Sequence, residues 1–325
     1  MQYPQFEDVI NTLHRHSYNE FGVRMDDAQV AMLEQQLEQM KTRIYEVRFQ
    51  EIKGRVFVPF NEETDRGAHS IAWEVLDSVG KAEIISGGDS DDIPLVETVA
   101  RKESKLVYDI ATGYRHTITD LWASAFAGKP LNDRRGRVAR RAIELKIDDI
   151  VFNGIPQTDV QGLVNHDDVD DTTPDNGNWD DAARTYEEIA QDVALMVRET
   201  IEATGDVFRP DTLGLPTNRF VHLATKPVGS SGDGRTVLAA LRDNLRELGV
   251  TRIESSNRLE GAGAGGTHRA VLYLRDPEVL EFDLPLGFFQ MPPERRGLGF
   301  ITPVLSRCAG LTIHHPKAIR YMDGI

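Results

Sequence analysis

Between Ile71 and Ile118 the chain carries two strand-forming runs around a stretch that has nothing with which to build a core. Ile71, Trp73, Val75 and Leu76 make the first run, and Ser104 to Ile118, rich in Val, Tyr, Ile and Thr, makes the second. Gly80 to Asp92 lies between them and holds Ser86-Gly87-Gly88-Asp89-Ser90-Asp91-Asp92. Small and acidic residues suit an exposed tip. The pattern is that of a long two-stranded arm, and a lone hairpin is marginal in water. Such an arm needs a second surface to lie on.

A helix over residues 26–48 poses the same problem. Val30, Leu33, Leu37, Met40, Ile44 and Val47 recur at spacings of 3, 4, 3, 4 and 3. Asp26 and Asp27 stand where carboxylates suit the helix dipole. A stripe this narrow must be buried, on the chain's own body or on a neighbouring chain. Three heptads are marginal for a free coiled coil.

The rest reads as an ordinary globular chain. Of 325 residues, 40% are hydrophobic and 27% charged, which argues against wholesale disorder. The single cysteine, Cys308, rules out an intramolecular disulfide framework and fits a reducing compartment. No run approaches eighteen apolar residues, and the N-terminus lacks a basic segment followed by an apolar one, so neither a membrane span nor a secretory signal is expected. The net charge of −15 disfavours a strong nucleic-acid binder.

A second strong helix is expected over 132–153, with Asn132 as N-cap and Gly154 just past its end. Val138, Ala139, Ala142, Ile143, Leu145, Ile147 and Ile150 cover its apolar arc. Arg134, Arg137, Arg140, Arg141, Glu144 and Asp148 share the other face, where Arg140 and Glu144 can pair. That stripe reads either as a salt-bridged face or as a contact with an acidic neighbour or with nucleic acid. A turn-rich stretch, Ile155 to Asn178, then makes a plausible domain boundary. Helices are expected over about 180–204 and around Leu238–Leu248, and a short strand at Leu213–Pro216. Val250 to Met322 reads as strands with loops at 260–267 and 291–299. The order lacks regular βαβ alternation, so the class is α+β.

No chemical motif survives inspection. Gly261-Ala262-Gly263-Ala264-Gly265-Gly266 fits the dinucleotide pattern, but Arg269 to Leu274, a strand, follows where a helix is needed. Gly229 to Gly234 lacks the Lys-Ser/Thr ending of a P-loop. His14 and His16 have no third ligand nearby, and His314 and His315, adjacent on a strand, point to opposite faces. The acidic knot at Asp167, Asp168, Asp170 and Asp171 lacks EF-hand spacing. Cys308 reads as a small buried residue, and Glu62, Glu63 and Asp65 lie in a polar turn. No catalytic, metal or cofactor residues are assigned.

The order of parts resembles the major capsid proteins of tailed phages, which share the HK97-type fold. The resemblance rests on Val56-Phe57-Val58-Pro59 leading into the hairpin and on Ile84 to Leu95 at its tip. It rests also on Gly128 to Asn132 before the long helix, Asp149 to Gly154 at its end, Gly162 to Asn165, and Gly310 to Pro316. It implies an HK97-type capsid fold: an N-terminal arm (1–52), an extended segment with the E-loop hairpin (53–118), a peripheral domain with a spine helix (119–178), an axial domain (179–310) and a C-terminal strand returning to the peripheral domain (311–325). It also implies a structural subunit, not an enzyme, that forms hexamers and pentamers of an icosahedral shell around double-stranded DNA. The shell would assemble in the host cytoplasm and reside in the virion. Scaffold, portal and decoration proteins would be further partners, packaged DNA a weak contact, and no cofactor is implied. Val30, Leu33, Leu37, Met40, Ile44, Val47, Ile84, Ile85, Asp89, Ile93, Arg134, Arg137 and Arg141 are the expected subunit-contact residues. An encapsulin-like nanocompartment shell and a soluble nucleotide-binding enzyme are the alternatives.

Overall fold

Phe57 begins the buried structure. It closes a single helical turn, α1 (Gly54–Phe57), where an extended run was expected, and its ring meets Phe152 edge-on at 5.2 Å. The computed structural model describes residues 51–79, 97–127, 132–175, 177–181, 183–229 and 234–325, and from Ile52 onward these form one compact unit. The helix expected over 26–48, His14 and His16, and the hairpin tip with Ile84, Ile85, Asp89 and Ile93 lie outside them.

After β1 (Phe60–Asn61) come the two hairpin strands, β2 (Ser70–Val79) and β3 (Glu97–Leu106). They pair antiparallel, with Ser70 opposite Leu106 and Val79 opposite Glu97. The return strand is thus Glu97–Leu106, not the whole run from Ser104 to Ile118. Val107 donates its N–H to the His69 carbonyl at 2.9 Å and closes the hairpin base. The next strand, β4 (Tyr108–Thr117), leaves the hairpin and pairs along its length with Gly299–Cys308. No glycine or proline separates Leu106 from Tyr108, so the sequence shows one continuous run where the chain changes sheets.

Two helices follow. The first, α2 (Ile118–Ala127), was not anticipated. The second, α3 (Asn132–Asn153), is the expected 22-residue helix, about 33 Å long. Ala139, Ile143, Ile147, Ile150, Val151 and Phe152 are buried in a core shared with Phe57, Leu163, Tyr273, Phe282 and Tyr321. Three assignments need correction: Val138 and Ala142, placed in the apolar arc, are exposed, and Asp148, placed on the polar face, is buried at 2%. Gly154, at φ 72°, ends the helix. The chain then folds back, so that Leu163 and Val164 donate to the carbonyls of Val151 and Phe152 at 2.9 and 3.1 Å. A Cβ at Gly162 would sit 2.1 Å from the Phe152 carbonyl oxygen, which admits only glycine.

After β5 (Asp171–Thr172), the second half is built from α4 (Tyr186–Ala203), β6 (Thr212–Pro216), α5 (Thr217–Thr225), α6 (Val237–Glu247), β7 (Arg252–Ser256) and β8 (Arg269–Tyr273). A capping box between Thr185 and Glu188 starts α4, later than the expected residue 180. The final strand, β14 (Ile319–Asp323), completes a mixed five-stranded sheet in the order β5-β14-β8-β6-β7. Alternation along β8 and β14 divides two cores. Val271, Tyr273, Ile319 and Tyr321 face the α3 core, whereas Ala270, Leu272 and Met322 face a second one with Trp179, Val193, Met196 and Leu241.

The intervening strands β9 (Leu280–Asp283), β10 (Leu286–Gln290), β11 (Glu294–Arg296), β12 (Gly299–Cys308) and β13 (Gly310–Ile313) make two small sheets, β1-β9-β13 and β10-β12-β11, with β4 on β12. The loop expected at 291–299 thus contains a strand. In the C-terminal stretch, β13 pairs with β9, while β14 enters the five-stranded sheet. The class is α+β, as expected.

Candidate assembly surfaces

The hairpin is a two-stranded sheet. Among the described residues nothing pairs with its outer sides, and unpaired edges are the usual template for another chain. Val75 and Leu106 are 40% and 61% exposed, and Arg101 and Lys102 face solvent. Among the described residues, the contacts with the body are at its base. Trp73 meets His314 edge-on at 5.7 Å, and the Lys105 ammonium donates to the Leu311 carbonyl. An open cavity of about 590 Å³ lies at this junction, lined by Trp73, Lys105, Tyr108, Gln161, His166 and Thr312.

Charged groups gather behind the junction. Burial pulls Lys105 down to about 8, against the attraction of Asp283 and Glu281. Burial, reinforced by Glu281, pushes Asp283 up to about 6, although Lys105 opposes this. Asn61 donates to Asp283 Oδ1 at 3.1 Å, and His314 Nε2 lies 3.4 Å from Glu281 Oε1. Burial also holds His166 below the usual histidine range.

A carboxyl whose pKa is raised by folding contributes stability that is full below its ordinary range and lost as pH rises through the folded value. Acidification from about pH 7 to about pH 4.5 is therefore expected to stabilise the wild-type subunit relative to Asp283→Asn. Urea midpoints of the two proteins at each pH test this, and a pH-independent difference would contradict it.

The expected arginine stripe lies on the first half of α3. Arg137 and Arg140 are exposed and Arg141 is half-buried. Arg140 pairs with Glu144 at 3.0 Å, as its spacing predicts, and stands over the Phe288 ring at 5.7 Å. The side chain of Arg134 lies outside the described residues. Asp148 joins elements that sequence reasoning left unconnected. Its Oδ1 accepts from the backbone N–H groups of Lys53 and Gly54 at 2.9 and 2.8 Å, and its Oδ2 lies 3.4 Å from Arg258 Nε.

The glycine-rich segment is a loop before strand β8, as read from the sequence, and its chemistry opposes a phosphate. The Ala264 N–H donates to Asp323 Oδ2 at 2.8 Å, and Asp323 is held by Arg269 through two bonds of 2.6 Å. A carboxylate thus occupies the place where pyrophosphate would need donors. Cys308 is fully buried, and burial pushes its thiol up to about 11. His314 and His315 lie just past the end of β13 instead of on a strand, yet they diverge: His314 faces Glu281 and Trp73, while His315 lies against Phe208 at 4.8 Å.

One core built on a long helix, a second core on the other face of a five-stranded sheet, and a two-stranded arm together make an HK97-type architecture. Solved structures share this architecture. The capsid of Myoviridae phage XM1 aligns at a TM-score of 0.75 and 20% identity, over 90% of this chain and 98% of that one. Mycobacterium phage Bobi aligns at 0.61 and 13%, over 93% and 99%. The virus-like particle from Pyrococcus furiosus aligns at 0.54 and 15%, over 83% and 91%.

At those identities the likeness shows the fold. The family is shown by sequence: the chain matches the major capsid protein family over residues 80–325, and it belongs to that family. It is therefore a structural protein of a homo-oligomeric shell, located in the virion, and not an enzyme. A stretch of 132 residues is also 30% identical to an aminoglycoside N(6')-acetyltransferase type 1 of Stenotrophomonas maltophilia, covering 34% of this chain and 82% of that protein. That stretch leaves most of the chain unmatched, whereas the capsid fold accounts for nine-tenths of it and Ile52–Ile325 form a single unit. Among the described residues, no helix is long and apolar enough to cross a membrane.

Proposed function

We propose that this chain forms hexamers and pentamers of an icosahedral phage capsid that encloses double-stranded DNA. The observation that carries the proposal is the hairpin. It has ten residues in each strand, is held at its base, and has no third strand among the described residues. Within a shell, each arm lies on the adjacent subunit. The five-stranded sheet with α4, α5 and α6 is the axial body, and α3 with the β4-β12 sheet is the peripheral one. The N-terminal stripe from Val30 to Val47, the tip residues Ile84, Ile85, Asp89 and Ile93, and the arginines Arg134, Arg137 and Arg141 make contacts between subunits. Scaffold, portal and decoration proteins are further partners, and assembly takes place in the host cytoplasm.

Subunits carrying −15 each repel one another. Their centres are separated by several Debye lengths, about 8 Å each at physiological salt, so apolar burial and local charge pairing outweigh that repulsion. The same acidity keeps contact with packaged DNA weak. Between a phage capsid and a nanocompartment, the match to the major capsid protein family over residues 80–325 favours the former. Neighbouring genes for terminase and portal, rather than for a cargo enzyme, would agree. Negative-stain imaging of the purified protein is expected to show closed shells of uniform diameter. A monomer that stays monodisperse under packaging-like salt and crowding would refute the proposal.

A further inference from the structure

Helix α2 is amphipathic in the wrong sense for a lone subunit. Its polar edge is turned to the body: Asp120 Oδ2 lies 3.3 Å from both Nη1 and Nη2 of Arg135, and Arg135 Nη1 also lies 2.8 Å from His116 Nδ1. Thr117 and Asp120 cap the helix start reciprocally, at 3.1 and 3.3 Å. At about 100° per residue, Ile118, Leu121, Trp122, Ala125 and Phe126 fall within one arc opposite Asp120. Of these, Trp122 is 69% exposed, Phe126 97% and Leu121 36%. Leu298, whose carbonyl accepts from the Ile118 N–H at 3.0 Å, extends the surface and is 78% exposed.

We propose that this face is a contact between two copies of the chain within the shell, packed against its own counterpart. The proposal rests on the capsid reading. Leu121, Trp122, Phe126 and Leu298 together expose on the order of 500 Å² of apolar surface, as large as the biggest patch on a typical monomer. Two such faces bury about 1,000 Å² in all, the lower limit of a specific interface. A weak contact suits a shell, where each is repeated many times and errors must be reversible. The arc carries no charged group, which disfavours DNA or a basic segment as its occupant. Other exposed apolar side chains among the described residues are aliphatic and scattered, such as Val56, Val207 and Val221, or single, such as Phe289. Among the described residues no other surface carries two exposed aromatic rings, and the stripe from Val30 to Val47 and the tip isoleucines are aliphatic, so the matching surface of a second copy is the same face.

The double variant Trp122→Ser, Phe126→Ser and the single variant Phe126→Cys test this against wild type. The double variant is expected to keep its urea midpoint, because both rings are exposed, and to yield about tenfold fewer closed shells or worse, since aromatic anchors dominate interface energetics. Phe126→Cys shells treated with a mild oxidant are expected to give disulfide-linked dimers, because the native Cys308 is buried. Closed shells from the double variant in wild-type yield would overturn the proposal, as would shells of Phe126→Cys that resist cross-linking. Loss of binding to lipid vesicles or to a second capsid component, with shell yield unchanged, would likewise overturn it. Failure of the wild type to form shells would instead defeat the capsid reading itself.

Discussion

Asp148→Ala is expected to leave little folded subunit. The carboxylate is 2% exposed and serves three partners, the Lys53 and Gly54 N–H groups and the Arg258 guanidinium. Alanine leaves two donors without an acceptor at the start of α1, each costing about 1–3 kcal/mol when buried. It also leaves Arg258 with Asp149 alone, at 3.1 Å, as its carboxylate partner. Because Asp149 still pairs with Arg258, the two orphaned donors dominate, and the loss of about 2–6 kcal/mol is a large share of the stability of a typical domain. Asp148→Asn keeps an acceptor oxygen and loses only the charge, and should fall between alanine and wild type. Soluble yield and urea midpoint measure the effect. An alanine variant within about 1 kcal/mol of wild type would show that α1 is not held to α3 through this carboxylate.

Asp148 also shows where sequence reasoning stops. On α3 the apolar arc and the terminal Gly154 were both legible, because helix period and left-handed termination are local properties. A carboxylate on the same helix reads as solvated unless its partners are known, and those partners, Lys53 and Arg258, lie far away in the sequence. The Lys105–Asp283 cluster is hidden for the same reason. The hairpin was legible as an arm of uncovered strands, but its register was not. The strand-forming run continues past Leu106 into Tyr108, and only pairing with β12 separates them.

Helix α2 had a signal that could have found it. Thr117-Ile118-Thr119-Asp120 has the spacing of a capping box, with aspartate in the place of glutamate. Its outward Trp122 and Phe126 broke the rule that an apolar face marks the core side. Helix α5 begins behind Pro216 with no side-chain cap, so nothing local announced it. The glycine-rich loop was read correctly because strand β8 follows it, but the carboxylate that fills it, Asp323, comes from the far end of the chain.

Deleting residues 83–94 is expected to leave a folded subunit and to abolish closed shells. The described part of the hairpin ends with Val79 paired to Glu97. Gly80, Lys81, Ala82, Leu95 and Val96 would remain between them, and connections of about four or five residues close antiparallel strands routinely. The base contacts, Trp73 with His314 and Lys105 with the Leu311 carbonyl, are untouched, so the urea midpoint should stay near that of the wild type. Assembly differs, because the tip carries Ile84, Ile85 and Ile93, apolar residues that a free arm has no reason to hold. Even about 2 kcal/mol lost at one contact is a factor of about 30 in that association, and closure requires the contact at every subunit. Sedimentation should therefore show free subunits or open fragments, and negative-stain images no closed particles. Closed particles in normal yield would mean that the arm clamps through its strands instead of its tip. The exposed side chains of β2 and β3, Val75, Arg101 and Lys102 among them, would then be the residues to change next.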